Sequence, residues 1–165
     1  MNVRAAFVAE FDHEMAVTRT VLDRVPDEQF SWKPHEKSFS MGGLATHLSQ
    51  LPHWGRQILD NDFYDLASSS MHATARRNRA EVLANFDGSV AEVRSALVAS
   101  SDVELNAVWT LKRGGHTVLS LPRLQALRTF LMNHVIHHRG QMTVYLRLQG
   151  VPLPPIYGPT ADERM

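Results

Sequence analysis

The sequence predicts an all-α protein, a four-helix bundle, from three observations. Four stretches place apolar residues at spacings of three and four, the mark of a helix with one buried face. Proline or glycine punctuates the ends of these stretches. At 165 residues, with 44% apolar and 21% charged residues, the chain has the size and composition of one soluble domain with a single core, spanning 1–165.

The first helix is expected across residues 3–25, where Phe7, Phe11, Met15, Thr18, Leu22 and Val25 form the stripe and Pro26 stops it. The stretch "PDEQFSWKPHEKSFS" then makes an irregular connection, with Phe30 and Trp32 folded back onto the core. A second helix should run from the N-cap Ser40 to about Asn61, with Leu44, Leu51, Trp54 and Ile58 on one side and His47 beside them. Pro52 falls inside this pattern and should kink the helix, because proline has no N–H to return to the Leu48 carbonyl.

The polar segment "DFYDLASSSMHATARR" reads as a loop. Asn78 and Glu81 have capping-box spacing, and the third helix follows with Val82, Phe86, Val90, Val93 and Leu97 inward. In "VWTLKRGGHTVLS" the helical period is lost, and Gly114-Gly115 between two β-prone runs predicts a small β-hairpin. The fourth helix is expected from about Pro122 to Gln149, capped by Ser120 or Leu121 and ended by Gly150 and Pro152. The tail "PLPPIYGPTADERM" should lie extended, packed through Ile156 and Tyr157.

Several function classes are excluded by composition. Lys+Arg and Asp+Glu balance at 17 each, which disfavours nucleic acid or an anionic membrane as the partner. With no cysteine, there is no disulfide, thiolate metal site or cysteine nucleophile. The N-terminal apolar run is too short for a signal peptide, no stretch approaches the roughly 20 apolar residues of a membrane span, and the expected location is cytoplasmic.

Nine histidines are many for this length, and two interrupt the fourth stripe: Leu124, Leu127, Leu131, His134, His138, Met142, Tyr145. Residues four apart on a helix differ by about 40° around its axis, so both imidazoles can reach one point, whereas His137 turns about 60° away from His134. Unliganded imidazoles in a core need partners, and Asn133 and Gln141 could satisfy only part of them. His47, beside the second stripe, is the natural third donor. Three neutral imidazoles leave coordination positions open, as in catalytic zinc sites, and nickel, iron(II) or manganese also suit the donors.

Other patterns carry less. His53, His13, His35, His72 and His116 lack ligand spacing, there is no HExxH or GxSxG, and "RRNR" at 76–79 and RGG at 113–115 read as solvated basic residues.

"FSWKPHEKSFSMGGLATHL" with a later "NHVIHHRGQM" resembles the DinB-like family of small metal-binding proteins, the group that includes the YfiT-type metal hydrolases. The matching elements are Phe30, Trp32 and Pro34 in an F-x-W-x-P turn, Ser40, His47, and His134 with His138-Arg139-Gly140-Gln141. The resemblance spans nearly the whole chain. It implies a bundle with a long crossover, a divalent ion, zinc or nickel before iron or manganese, on His47, His134 and His138, and a homodimer.

Relatives with assigned chemistry imply thiol-dependent transfer or isomerisation, with a low-molecular-weight thiol and a small-molecule substrate. Alternatives are a hydrolase or a non-catalytic metal-binding stress-response protein. Near the ligands, Arg139 could steer a carboxylate or phosphate, Gln141 could hydrogen-bond a ligand histidine, and Gly140 could allow close helix approach.

Overall fold

The structure is a computed structural model and describes residues 2–67 and 75–164. Four long helical segments form the bundle: α1 (Val3–Leu22), α2 (Met41–Gln50) continued by α3 (His53–Asp60), α4 (Arg79–Ala99), and α6 (Arg123–Leu127) leading into α7 (Asn133–Leu148). A short helix, α5 (Asp102–Asn106), a 3-10 turn (Asp27–Gln29) and three strands, β1 (Phe63–Asp65), β2 (Val108–Arg113) and β3 (His116–Pro122), make up the other elements among the described residues. Both α1 and α2 pack against α4 and α7. The order around the bundle is therefore α1, α4, α2, α7, with successive segments α1 and α2 on a diagonal. That is the long crossover, made by residues 23–40.

Each stripe buries as its spacing requires. Phe7, Phe11, Met15 and Leu22 of α1 meet Val82, Phe86, Val93 and Leu97 of α4 in a core that also takes Leu127, Leu131, Met142 and Leu146. Of the sequence stripe on α4, Val90 is only partly buried, and Ser89 takes a buried place instead.

The boundaries differ from expectation where proline or a tightened turn intervenes. α1 stops at Leu22, because Arg24 and Val25 donate to Val21 and Leu22 three residues back, closing the last turn before Pro26. The second segment is two helices rather than one kinked helix. Pro52 cannot donate, so Trp54 and Gly55 turn tightly onto the Leu51 and Pro52 carbonyls. Asn78 caps α4 by accepting from the Glu81 N–H, but Glu81 reaches Arg77 rather than the Asn78 backbone, so the box is half made. Pro122 is the cap residue of α6 and the last residue of β3, displacing the expected caps Ser120 and Leu121.

The hairpin forms as the Gly-Gly signal predicts: β2 and β3 pair antiparallel, and Gly114 and Gly115 turn at φ +58° and +82°. Strand β1, parallel to β2, lies in the stretch read as a loop. Its Asp65 carboxylate accepts from the Gly114 and Gly115 N–H groups at 2.8 and 2.7 Å, locking the turn from outside the hairpin. The rest of that polar stretch, with His72, lies outside the described residues. The helix α6–α7 is continuous through a π-helical segment, Arg128–Met132, where the Asn133 N–H bonds the Arg128 carbonyl five residues back. One residue is thereby added immediately before His134, a device common beside functional sites.

Candidate metal centre

His47 is carried by α2, whose start is pinned from several sides. Ser40 Oγ accepts from the Gly43 N–H, while the Phe30 and Trp32 carbonyls accept from Gly42 and Met41 at 2.9 and 2.8 Å. Trp32 packs edge-on against Tyr145 of α7, ring centroids 5.6 Å apart, and the Tyr145 hydroxyl donates to the Phe39 carbonyl. The F-x-W-x-P turn thus ties the helix bearing His47 to the helix bearing the other two histidines.

The three rings converge. Their nitrogens lie within 4.8 Å of one another, forming a cluster able to hold a metal ion. His47 Nε2 and His134 Nε2 are 3.4 Å apart. Ligands roughly 2.0–2.1 Å from a tetrahedral ion stand about 3.3 Å from each other, so this spacing fits the group. The outer contacts fit as well. His138 Nδ1 lies 2.7 Å from Gln141 Oε1, which can only accept, so the proton sits on Nδ1 and Nε2 keeps its lone pair. The His134 ring hydrogen-bonds to the Phe130 backbone.

Electrostatics keep the cluster neutral. Burial, then the neighbouring His138 and His134, pushes His47 down to about 4. Burial and then His138 lower His134, and burial lowers His138 despite the opposing pull of Gln141. Neutral imidazoles at neutral pH are what a cation needs.

Other residues fall elsewhere. Arg139 neither faces the cluster nor lies on the surface. It is 2% exposed, paired with Glu14 at 2.7 Å, and its guanidinium donates to the Tyr157 hydroxyl, which in turn donates to Glu14. Gly140 is exposed and a Cβ there would meet nothing within 4 Å, so it serves no close helix approach. His137 is exposed, its ring 4.9 Å from that of His138. His53 is half-buried with Nε2 3.2 Å from Ser89 Oγ, and His13, His35 and His116 are exposed.

Sequence reasoning missed Phe39, whose ring stacks on His47 at 5.7 Å between centroids. An aromatic one residue before an N-cap is the only signal it gives. Glu14 was equally silent, since a charged residue inside the first stripe is recognisable only by its partner. Tyr157, expected to pack the tail onto the core, is instead 62% exposed and is held by its hydroxyl to Glu14.

A helical bundle with an inward histidine cluster shared between two neighbouring helices defines a candidate metal-binding bundle. The DinB family model matches residues 1–164, and the chain belongs to that family. It is similar in fold to a DinB-like protein from Bacillus cereus, with TM-score 0.74 and 21% identity over 92% of this chain and 95% of that one. A second neighbour is the DinB-like protein YjoA of Bacillus subtilis, with TM-score 0.72 and 20% identity over 96% and 98% of the two chains. The uncharacterized protein YrdA of Bacillus subtilis is 53% identical over 38 residues, which span 23% of this chain and 23% of YrdA. No helix among the described residues is long and apolar enough to cross a membrane.

Proposed function

We propose that this protein is a metal-dependent enzyme in which His47, His134 and His138 hold a divalent ion, zinc or nickel ahead of iron or manganese, and that it joins a low-molecular-weight thiol to a small electrophile. Supporting this above all is the convergence of three neutral imidazoles from two helices, with no carboxylate in the cluster among the described residues. A divalent ion so held would leave positions open and lower the pKa of a bound thiol or water.

The chain's own residues have definable parts. Gln141 keeps the His138 proton on Nδ1, the loop at Phe30–Trp32 holds α2 in register with α7, and Phe39 covers one face of His47. With no carboxylate in the cluster among the described residues, proton loss from a bound thiol or water would fall to the ion itself. Arg139 belongs to this proposal only as the residue that anchors α7 against α1, since its guanidinium is occupied by Glu14 and Tyr157. The same proposal takes the protein to be a cytoplasmic homodimer acting as one unit over 1–165, which light scattering on the purified chain checks.

Elemental analysis of untagged wild type beside His47→Ala and His134→Ala is the decisive test. About one equivalent of divalent metal in wild type, lost in both variants, is expected; equal metal in all three refutes the centre. With metal present, a panel of thiols against an electrophilic chloroarene should give turnover. Silence across the panel would leave a non-catalytic metal-binding protein.

A further inference from the structure

Beside the histidine cluster lies a cleft of about 460 Å³ that none of the three histidines lines. One wall is apolar, from Phe30, Phe39 and the bare backbone of Gly42 and Gly43. The other brings in Arg76 and Arg77. Phe39 belongs to both places, lining the cleft and stacking on His47. A molecule seated in the cleft would therefore share the Phe39 side of His47.

The arginines are unevenly satisfied. Arg77 is paired with Glu81 at 2.6 Å. Arg76 has no carboxylate partner among the described residues: its Nη2 donates to the Asn85 amide oxygen, and its Nε–H is buried with no acceptor. A guanidinium with no carboxylate of its own is a charged donor for which a carboxylate or phosphate oxygen is the strongest acceptor. Two guanidinium groups against one carboxylate leave the end of the cleft with one positive charge in excess.

We infer that this cleft binds the body of a small organic anion, with its apolar part against Phe30 and Phe39 and its carboxylate or phosphate on Arg76. It deepens the metal-centre proposal by naming the class of substrate that reaches the ion, but cleft binding itself does not require the ion. Gly42 and Gly43 leave that wall flat: a Cβ on Gly42 would stand 2.3 Å from the Phe30 ring, so no side chain fits between them.

Phenylbutyrate and neutral phenylbutyramide are the probes, titrated into isotope-labelled protein with metal loaded and with metal stripped. Expected are backbone resonance shifts at Gly42, Gly43 and Arg76 in both forms, with the acid binding about tenfold more tightly than phenylbutyramide. Arg76→Gln should bring that ratio close to one without changing phenylbutyramide binding. Phe39→Ala should weaken both probes alike. Equal binding of the two probes to wild type, shifts centred on His134 and His138 alone, or no binding at all would overturn the assignment. Because the stripped protein is included, a failed metal centre and a failed cleft give different results.

Discussion

Gln141 accepts the Nδ1 proton of His138, so a single amide oxygen decides which nitrogen of that ring offers a lone pair. Gln141→Ala should lower metal affinity by about 10–100-fold in a chelator competition, as loss of such outer partners commonly does, while Gln141→Glu should retain it. Two residues earlier on the same helix, Arg139 does a different job. Its charge is buried with that of Glu14, and Thr18 and Tyr157 complete the hydrogen bonding. Removing one partner strands the other, so Glu14→Ala or Arg139→Ala should cost about 3–5 kcal/mol in urea unfolding, whereas the exposed Gln141→Ala should stay within about 0.5 kcal/mol. The sequence made the three histidines legible because imidazole on an apolar stripe is conspicuous. Arg139 was not, because its neighbour in sequence is a candidate ligand while its partner lies 125 residues away.

Among the elements, periodicity identified every long helix and the glycine pair identified the hairpin. What it could not supply were the short pieces that tertiary contacts create. β1 has three residues and exists because β2 offers its edge; α5 has five and depends on the Ser101–Glu104 capping box. The π-segment, Arg128–Met132, leaves no compositional mark. The break at Pro52 allows α3 to approach α4 closely, and Gly55 is the contact: a Cβ there would lie 2.6 Å from a Val93 methyl and 3.2 Å from Leu131. Valine is stiff about its first side-chain torsion and cannot swing aside. Gly55→Ala should therefore destabilise by about 1–3 kcal/mol, read as a lower denaturant midpoint. The exposed Gly88, with open space around it, should tolerate alanine and gain slightly in helix propensity.

For the molecule as a whole, the histidine cluster makes stability depend on pH in a definite direction. The unfolded chain titrates its imidazoles at the ordinary value of 6.5, whereas burial holds His47 near 4 and lowers His134 and His138 in the fold. Between those values the unfolded state binds more protons, so the metal-free protein should lose stability as pH falls from 6.5 towards 4 and be insensitive to these groups above 7. Thermal melts across that range check the sign. The proposed ion would bind only the folded, neutral cluster, so loading at a hundredfold over Kd should add about 2.7 kcal/mol at pH 7 and progressively less on acidification.

The distance along the chain between α2 and α7 also governs when the histidine cluster can come into being. His47 and His134 stand 87 positions apart along the chain, and between their helices the polypeptide must first lay down α4 and close the hairpin. An ion on this cluster would therefore not nucleate an early half of the protein, as it does in a zinc finger; it would be admitted only by a nearly finished bundle. Under the proposed metal centre, maturation would run polypeptide first and ion second, and fragments ending before α7 should emerge from synthesis with no affinity for the metal.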